Sequence, residues 1–283
     1  MNYYMIISVV ILCLSLFLFL HLFEKRKPKA REIVVLACMS ALTVVSNLIC
    51  AYTIPFHAGT AMVILTGIAL GPQAGFFTGI LSRFVCNFFM GQGVWTPWEM
   101  VAWGILGAMA GIMFGRGTLR GHLEDVRAIK KAENTQGFIA VVPVILCLVV
   151  SEIVAYLSYL LFHSEGETFC GWRLYVYGIV GITIALCVQR RKIPCNAVTV
   201  PVYTFISVFL IYGGIMNLAA FFMTGVTPGT ENGSLDALKL LYVTGAPYDA
   251  LHAGGAAICS FLFGDSIIQK LERIRMKYGM YQS

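Results

Sequence analysis

The chain has 283 residues, of which 58% are hydrophobic and only 12% are charged, and its formal net charge is +6. Soluble domains carry about 25% charged residues, so the composition excludes a soluble globular protein. Apolar runs of about 20 residues, the length that crosses about 30 Å of hydrocarbon, recur along the whole chain. The sequence therefore predicts an all-α integral membrane protein, a polytopic helical bundle. The basic residues lie between the apolar runs and indicate topology rather than nucleic-acid binding.

The first apolar run extends from Met1 to Phe23 and is followed by a basic stretch. It lacks a basic segment before it and an A-x-A-like cleavage site after it, so we interpret it as a retained helix rather than a secretory signal. The predicted division is an extra transmembrane helix with a basic cytoplasmic linker over 1–30, followed by a membrane domain over 31–283. Within that domain we expect a basic cytoplasmic loop over 115–136 and an outer interfacial helix over 234–244.

Hydropathy predicts eight or nine transmembrane helices, because two of the nine apolar segments are short. Most Lys and Arg residues fall in the clusters 25–31, 116–131, 190–192 and 270–277. The positive-inside rule assigns these clusters to the cytoplasm, so nine spans place the N-terminus outside the cell membrane and the C-terminus inside. The predicted spans are 2–23, 33–52, 57–70, 74–90, 98–114, 138–162, 173–188, 197–222 and 247–268.

The stretch GQGVWTPWEM, residues 91–100, lies in an outer loop of this topology. Thr96, Pro97 and Glu99 fit a capping box that begins the next helix, with the threonine as N-cap and the glutamate reaching back to the cap backbone. Its two tryptophans suit the aromatic belt of a membrane interface. The capping box leaves the flanking Gly91-Gln92-Gly93 unexplained, because such glycines indicate positive φ or a close backbone approach.

Further polar residues fall at a similar depth in the outer halves of the predicted helices. Ionisable groups inside a membrane are costly and indicate function by default, although Arg83 and Glu152 could instead form a structural ion pair. Together with the tryptophans they predict a polar pocket that opens to the outside. The polar set comprises Asn47, Arg83, Asn87, Glu152, Asn217, Asp249 and His252.

The sequence contains no Walker loop, H-E-x-x-H or G-x-S-x-G motif and no cluster of metal ligands. The nine cysteines form no C-x-x-C pair, and most fall inside predicted helices, which is typical of small buried hydrophobic residues. We therefore expect no catalytic residues, no metal and no cofactor. A small-molecule binder or carrier is the simpler interpretation.

Several segments resemble the substrate-binding S components of energy-coupling factor (ECF) transporters. The resemblance is carried by REIVVLA at 31–37 with Ala41 four residues on, LTGIALGPQAGF at 65–76, NFFMGQGVWTPWEM at 87–100 with AWG at 102–104, and PYDALHAG at 247–254. It covers the first half of the core and the last helix, whereas 116–245 agree only in pattern. S components usually have about six spans, so the extra helices leave the correspondence of the later spans open.

The resemblance implies a subunit that binds a vitamin or related micronutrient from outside and associates with a membrane T subunit and two cytosolic ATPases. Ala37 and Ala41 would form the helix face that docks on the T subunit. The G-Q-G-x-W-T-P-W type is most similar to members associated with cobalamin or a corrinoid precursor, although a queuosine-type base or another vitamin would also suit the pocket. The expected substrate-binding residues are Asn47, His57, Asn87, Gln92, Trp95, Trp98, Glu99, Asp249 and His252.

Two other classes remain open. An ion-coupled secondary transporter would favour inverted repeats with paired broken helices, and the sequence contains no second copy of G-P-Q-A-G or W-T-P-W. An intramembrane transferase would use Asp249 and His252 as acid and base.

Overall fold

The computed structural model of the protein describes residues 29–53, 57–114, 126–163, 168–188, 193–224 and 235–280, together with scattered residues among the first 21. Most of the predicted first helix and its basic linker, residues 1–30, lie outside the described residues. The same is true of 115–125 in the predicted basic loop.

Helices account for almost all of the described chain, and an isolated bridge between Phe114 and Ile193 is its only β-type pairing. The all-α prediction is therefore confirmed. A π-helical turn over Val208–Tyr212 joins α7 to α8. The helices are α1 Ala30–Thr53, α2 Ala58–Leu70, α3 Pro72–Met90, α4 Thr96–Met113, α5 Val126–Phe162, α6 Trp172–Val188, α7 Thr199–Ser207, α8 Gly213–Thr224 and α9 Leu235–Lys277.

Four helical segments of the described chain are long and apolar enough to cross a membrane: Ala30–Thr53, Val141–Phe162, Thr199–Met223 and Asp236–Lys277. The helices Ala58–Leu70 and Trp172–Val188 are apolar but shorter. These lengths and compositions fit a membrane protein. A total of eight or nine spans stays a prediction.

Glycines set the close packing of α2, α3 and α4 around the turn that begins at Gly71. That residue has φ 101° and donates its N–H to the Gly67 carbonyl, so the chain turns tightly between the predicted spans 57–70 and 74–90. A Cβ on Gly67 would lie only 2.0 Å from the Gly107 carbonyl oxygen, and one on Gly75 would lie 2.4 Å from the same oxygen. Side chains at these positions would force the three helices apart.

Two predicted boundaries are wrong. The basic loop expected over 115–136 is helical from Val126 onward, because α5 begins 12 residues before the predicted span 138–162. The interfacial helix expected over 234–244 is not separate, since α9 continues through Gly245 and Pro247. Pro247 removes only one intrahelical hydrogen bond, that to Val243. Gly245 serves packing rather than helix termination, because a Cβ there would lie 2.2 Å from Asn217 Oδ1.

The core runs between α2, α4, α7 and α9, with the π-helical turn packed against it. Helix α5 is different, since only 11% of its apolar segment Val141–Phe162 is buried within the described chain. Its contacts are mainly with α6. The α5–α6 hairpin therefore lies at the edge of the bundle, and the polar residues of interest lie near the predicted outer ends of the core helices.

Candidate ligand-binding site

The carboxylate of the W-T-P-W-E stretch belongs to a buried ion pair. Arg83 Nε donates to Glu99 Oε2 at 2.9 Å, and Arg83 Nη2 donates to Glu99 Oε1. Asn87 Nδ2 donates to the same Glu99 Oε2 at 2.8 Å. All three side chains are buried. Two parallel N–H···O bonds between a planar guanidinium and a carboxylate are strong and directional, so this pair fixes α3 against the first turn of α4.

The loop before α4 is held by Thr96. Its hydroxyl donates to Gln92 Oε1 at 2.9 Å and accepts from Asn87 Nδ2 at 3.0 Å and from the Gly93 N–H at 3.2 Å. Gly91 has φ 106°, and a Cβ on Gly93 would lie 2.4 Å from the Trp95 ring. Positive φ and close approach are thus both confirmed for this loop.

Two predictions for this region are wrong. Glu99 does not close a capping box, because its carboxylate is bonded to Arg83 and Asn87, and no side-chain hydrogen bond caps α4. The pair considered between Arg83 and Glu152 does not form, since Arg83 faces Glu99 across the α3–α4 contact. Glu152 Oε2 is buried without a hydrogen-bond partner in the described part of the chain.

Two histidines from distant parts of the sequence stack at the start of α2. The rings of His57 and His252 lie 3.9 Å apart between centroids, and Thr60 Oγ1 lies 2.9 Å from His252 Nε2. Tyr212, in the π-helical turn, meets the His252 ring edge-on at 4.4 Å. A neutral histidine ring offers one donor and one acceptor.

Trp103 packs between the ion pair and the first turn of α2, which follows His57 in the chain. Its ring lies 5.2 Å below the Arg83 guanidinium carbon, and its Cη2 would lie 2.8 Å from a Cβ on Gly59. We call this contiguous set the polar cluster. Its members are His57, Thr60, Arg83, Asn87, Glu99, Trp103, Tyr212 and His252.

Asp249 lies in a second set, which we call the Asp249 cluster: Asp249, Tyr175, Asn217 and Gly213. Tyr175 donates its hydroxyl to Asp249 Oδ2 at 2.6 Å, and Asn217 Nδ2 donates to the same oxygen at 2.7 Å. A Cβ on Gly213 would lie 2.5 Å from Asp249 Oδ2. These contacts fix the carboxylate between α6, α8 and α9, beside the histidine stack.

The remaining predicted residues differ in their surroundings. Asn47 is buried and donates toward the sulfur atoms of Cys86 and Met90 at 3.7 and 3.5 Å. Trp98 is buried and stacks on Phe222 at 5.8 Å. Trp95 is 41% exposed, and Gln92 is exposed as well. The structure therefore brings most of the predicted residues together but leaves these last two at the surface.

Three buried polar atoms of the polar cluster have no hydrogen-bond partner among the described residues: His57 Nδ1, Asn87 Oδ1 and Trp103 Nε1. They offer one acceptor, one indole donor and one imidazole nitrogen that can do either. Buried polar groups are nearly always satisfied, so each such exception calls for water or a ligand. The arrangement can recognise a molecule that has both donors and acceptors.

Sequence reasoning missed Thr60, Tyr175 and Tyr212, although each lies against a predicted site residue. A threonine or tyrosine within an apolar helix carries no distinctive signal, and only the packing of α2, α6 and the π-helical turn reveals these contacts. Among the described residues no group of three His, Cys, Asp or Glu side chains could hold a metal ion.

Residues 27–166, about half of the chain, match the family model described as the ECF-type riboflavin transporter, S component. A UPF0397 protein of Vibrio atlanticus (strain LGP32) is 32% identical over 89 residues, which are 29% of this chain and 48% of the relative. UPF0397 proteins of Aliivibrio fischeri strains MJ11 and ATCC 700601 / ES114 are each 33% identical with the same coverage. The chain thus spans about half the length of the curated relatives it matches.

No solved structure matches the chain. The matched range contains the Arg31–Ala37 segment, the G-P-Q-A-G turn and the whole G-Q-G-x-W-T-P-W stretch. The family resemblance inferred from these motifs is confirmed.

Proposed function

We propose that the chain is the substrate-specific membrane subunit of an ECF-type micronutrient importer, because residues 27–166 match the family model of an ECF S component. Its S-component-like domain begins at residue 31 and follows the extra N-terminal helix. In this role it binds a vitamin or related small molecule from outside the cell. It has no catalytic task of its own.

The polar cluster supports this assignment best. It joins α2, α3, α4 and α9, which include the segments that carry the family motifs. Three of its buried polar atoms lack partners in the described chain. An Arg, a Glu and two His side chains at this depth are costly to retain unless they act together. We therefore propose that Asn87, Glu99, His57 and His252 contact or orient the ligand, with Trp103 as an additional member.

The other expected ligand residues keep supporting roles in this proposal. Asn47 packs against the Gly59 backbone beneath the histidines, since a Cβ on Gly59 would lie 2.7 Å from Asn47 Cβ. Asp249 fixes the position of α9 beside the polar cluster, through its hydrogen bonds with Tyr175 and Asn217. Trp98 forms an apolar wall with Phe222, and Gln92 and Trp95 lie at the entrance.

Riboflavin is the first candidate ligand. The matching family model carries its name, and a planar heterocycle with a polar edge suits a cluster of indole, imidazole and amide groups. The corrinoid favoured by the motif type has no support from the comparisons, and we retain cobalamin only as a test ligand.

The proposed partners are a membrane T subunit and two cytosolic ATPases. Ala37 and Ala41 are exposed on α1, and small side chains allow another helix to approach closely within a membrane. The proposed orientation has the C-terminus in the cytoplasm, beside the basic residues of 270–277, and the N-terminus outside if nine spans are present.

Mass spectrometry of small molecules extracted from the purified full chain tests the proposal. We expect one vitamin-like compound near one equivalent per chain, and its loss in an Asn87→Leu variant that keeps a normal elution profile. Uptake that persists without any ATPase module and depends on an ion gradient would favour the ion-coupled transporter instead.

A further inference from the structure

An apolar cavity lies apart from the polar cluster, between α5, α6 and α7. Its wall is formed by Ile145 and Leu148 of α5, Ile182 of α6, and Val202, Tyr203 and Ser207 of α7. The bridge between Phe114 and Ile193 adjoins it, with the Ile193 N–H donating to the Met113 carbonyl at 2.9 Å. Because α7 begins at Thr199 next to the predicted cytoplasmic side, the cavity occupies the inner half of the bundle.

The cavity reaches the lateral surface of the bundle. Ile145 and Val202, on its two sides, are each about half exposed, and Val198 is exposed beside them. In a membrane protein such a surface faces acyl chains rather than water, and an apolar gap that opens there is continuous with the hydrocarbon. The neighbouring Val141–Phe162 segment is the least buried of the four candidate spans.

One polar atom distinguishes this cavity from an ordinary apolar groove. Tyr203 is nine-tenths buried, and its hydroxyl, which lies near that of Ser207, forms no hydrogen bond of normal geometry among the described residues. Its ring is held edge-on by Phe114 at 5.1 Å. The other two hydroxyls of the wall are satisfied, since Thr199 donates to the Pro194 carbonyl at 2.6 Å and Ser207 to the Thr204 carbonyl at 3.3 Å. A hydroxyl in apolar surroundings needs an acceptor.

The depth of Tyr203 indicates which acceptor is available. The segment Thr199–Met223 has 25 residues, which at about 1.5 Å each span about 37 Å, against about 30 Å of hydrocarbon. About 4 Å of helix therefore extends beyond the hydrocarbon at each end. Tyr203 lies one turn, about 6 Å, inside Thr199, and so falls close to the boundary where phospholipid ester groups reside.

We infer that this cavity binds one acyl chain of a phospholipid from the surrounding bilayer, with an ester carbonyl accepting the Tyr203 hydroxyl. The acyl chain fills the apolar space between the α5–α6 hairpin and α7. This lipid site is independent of the polar cluster and of the ligand proposed there. The bound acyl chain provides an apolar surface against which the α5–α6 hairpin packs.

Photo-crosslinking in proteoliposomes tests the inference. The full chain is reconstituted in phosphatidylcholine that contains a small fraction of phosphatidylcholine with a diazirine midway along one acyl chain. After illumination, adducts are mapped by mass spectrometry. We expect several-fold more adducts on 141–148 and 199–207 than on 258–263 of α9, whose Phe261, Leu262 and Phe263 are more exposed than Val202.

Three variants, one of them a control, test the site further. Ser207→Leu fills the deep end of the cavity and should reduce the adducts on α7 several-fold, whereas Phe261→Leu should leave them unchanged. Tyr203→Phe removes only the hydroxyl and should lower the phospholipid retained after detergent washing, with vitamin binding unaltered. Equal labelling of α7 and α9 in the unmodified chain would overturn the inference. Labelling of α7 that Ser207→Leu does not change would also overturn it, and the predicted N-terminal helix or a partner helix would become the alternative occupant.

Discussion

Arg83 and Glu99 face each other across the contact between α3 and α4, and two N–H groups of one guanidinium reach both oxygens of one carboxylate. The carboxylate that the sequence motif places at the start of α4 is therefore an anchor for the neighbouring helix. Asn87 and Trp103 are held by the same pair, through a hydrogen bond to Glu99 and a ring contact with Arg83. The geometry of the polar cluster thus depends on this interaction.

Removing one partner of this pair should be strongly destabilising. Glu99→Leu leaves the Arg83 charge buried and unpaired, which costs about 3–5 kcal/mol, whereas a matched apolar replacement of both residues is often close to neutral. We expect Arg83→Met/Glu99→Leu to recover most of the free energy of unfolding that Glu99→Leu loses, measured by reversible unfolding in mixed micelles. Additive effects of the two single substitutions would contradict a direct pair.

The Asp249 cluster depends on the absence of side chains at the glycines that pack against it. Gly245→Ala places a Cβ 2.2 Å from Asn217 Oδ1 and should displace that amide from Asp249. Overpacking of this kind costs about 1–3 kcal/mol. Gly254 lies on the same helix with nothing within 4 Å of its added Cβ, so Gly254→Ala should be neutral or stabilising by up to about 1 kcal/mol. Equal melting temperatures for the two variants would argue against the cluster.

Two substitutions of Trp98 distinguish its effect on ligand binding from its effect on protein stability. Trp98→Ala removes a buried ring that stacks on Phe222 and should lower stability by about 3–5 kcal/mol. Trp98→Phe retains an aromatic ring at that position, so we expect a near-normal yield of monodisperse protein and a several-fold weaker affinity for the ligand. Yield and affinity that fall together in Trp98→Phe would assign Trp98 a packing role only.

The exposed alanines of α1 test partner assembly. Ala37→Trp and Ala41→Trp should prevent co-purification with the T subunit and its ATPases, because a bulky ring keeps another helix from approaching closely. Ligand binding should persist, since neither residue contacts the polar cluster. Ile49→Trp, two turns beyond Ala41 on α1 and also exposed, is the matched control and should assemble. Normal assembly of both alanine variants would remove the docking proposal.

Hydropathy and the positions of glycine and proline predicted much of the fold, because the length of an apolar segment and the conformation of a glycine are local properties. The turn at Gly71 and the loop at Gly91 are examples. Boundaries set by tertiary contacts were not predictable in this way. Gly245 and Pro247 are typical of a helix end, yet α9 continues through them as one helix that packs against α2, α7 and α8.

The candidate site was predictable in composition but not in pairing. Glu99 satisfies a capping-box pattern, and only the packing of α3 on α4 reveals that Arg83 is its partner. His57 and His252 are separated by almost 200 positions in the chain, and their stacking follows from the contact of α2 with α9. Trp103 lies just after the motif in the sequence. That its indole nitrogen has no partner among the described residues becomes apparent only from the structure.

The central claim is that the polar cluster binds a vitamin-like ligand through its unpaired atoms, and equilibrium titration tests it most directly. Riboflavin is titrated into the purified full chain and into Trp103→Phe, which removes the indole N–H donor together with part of the buried ring, with cobalamin titrated in parallel. We predict saturable binding of one riboflavin per chain and an affinity lowered by about tenfold in Trp103→Phe, the equivalent of about 1.4 kcal/mol. Binding of neither compound, or equal affinity in both proteins, would contradict the account.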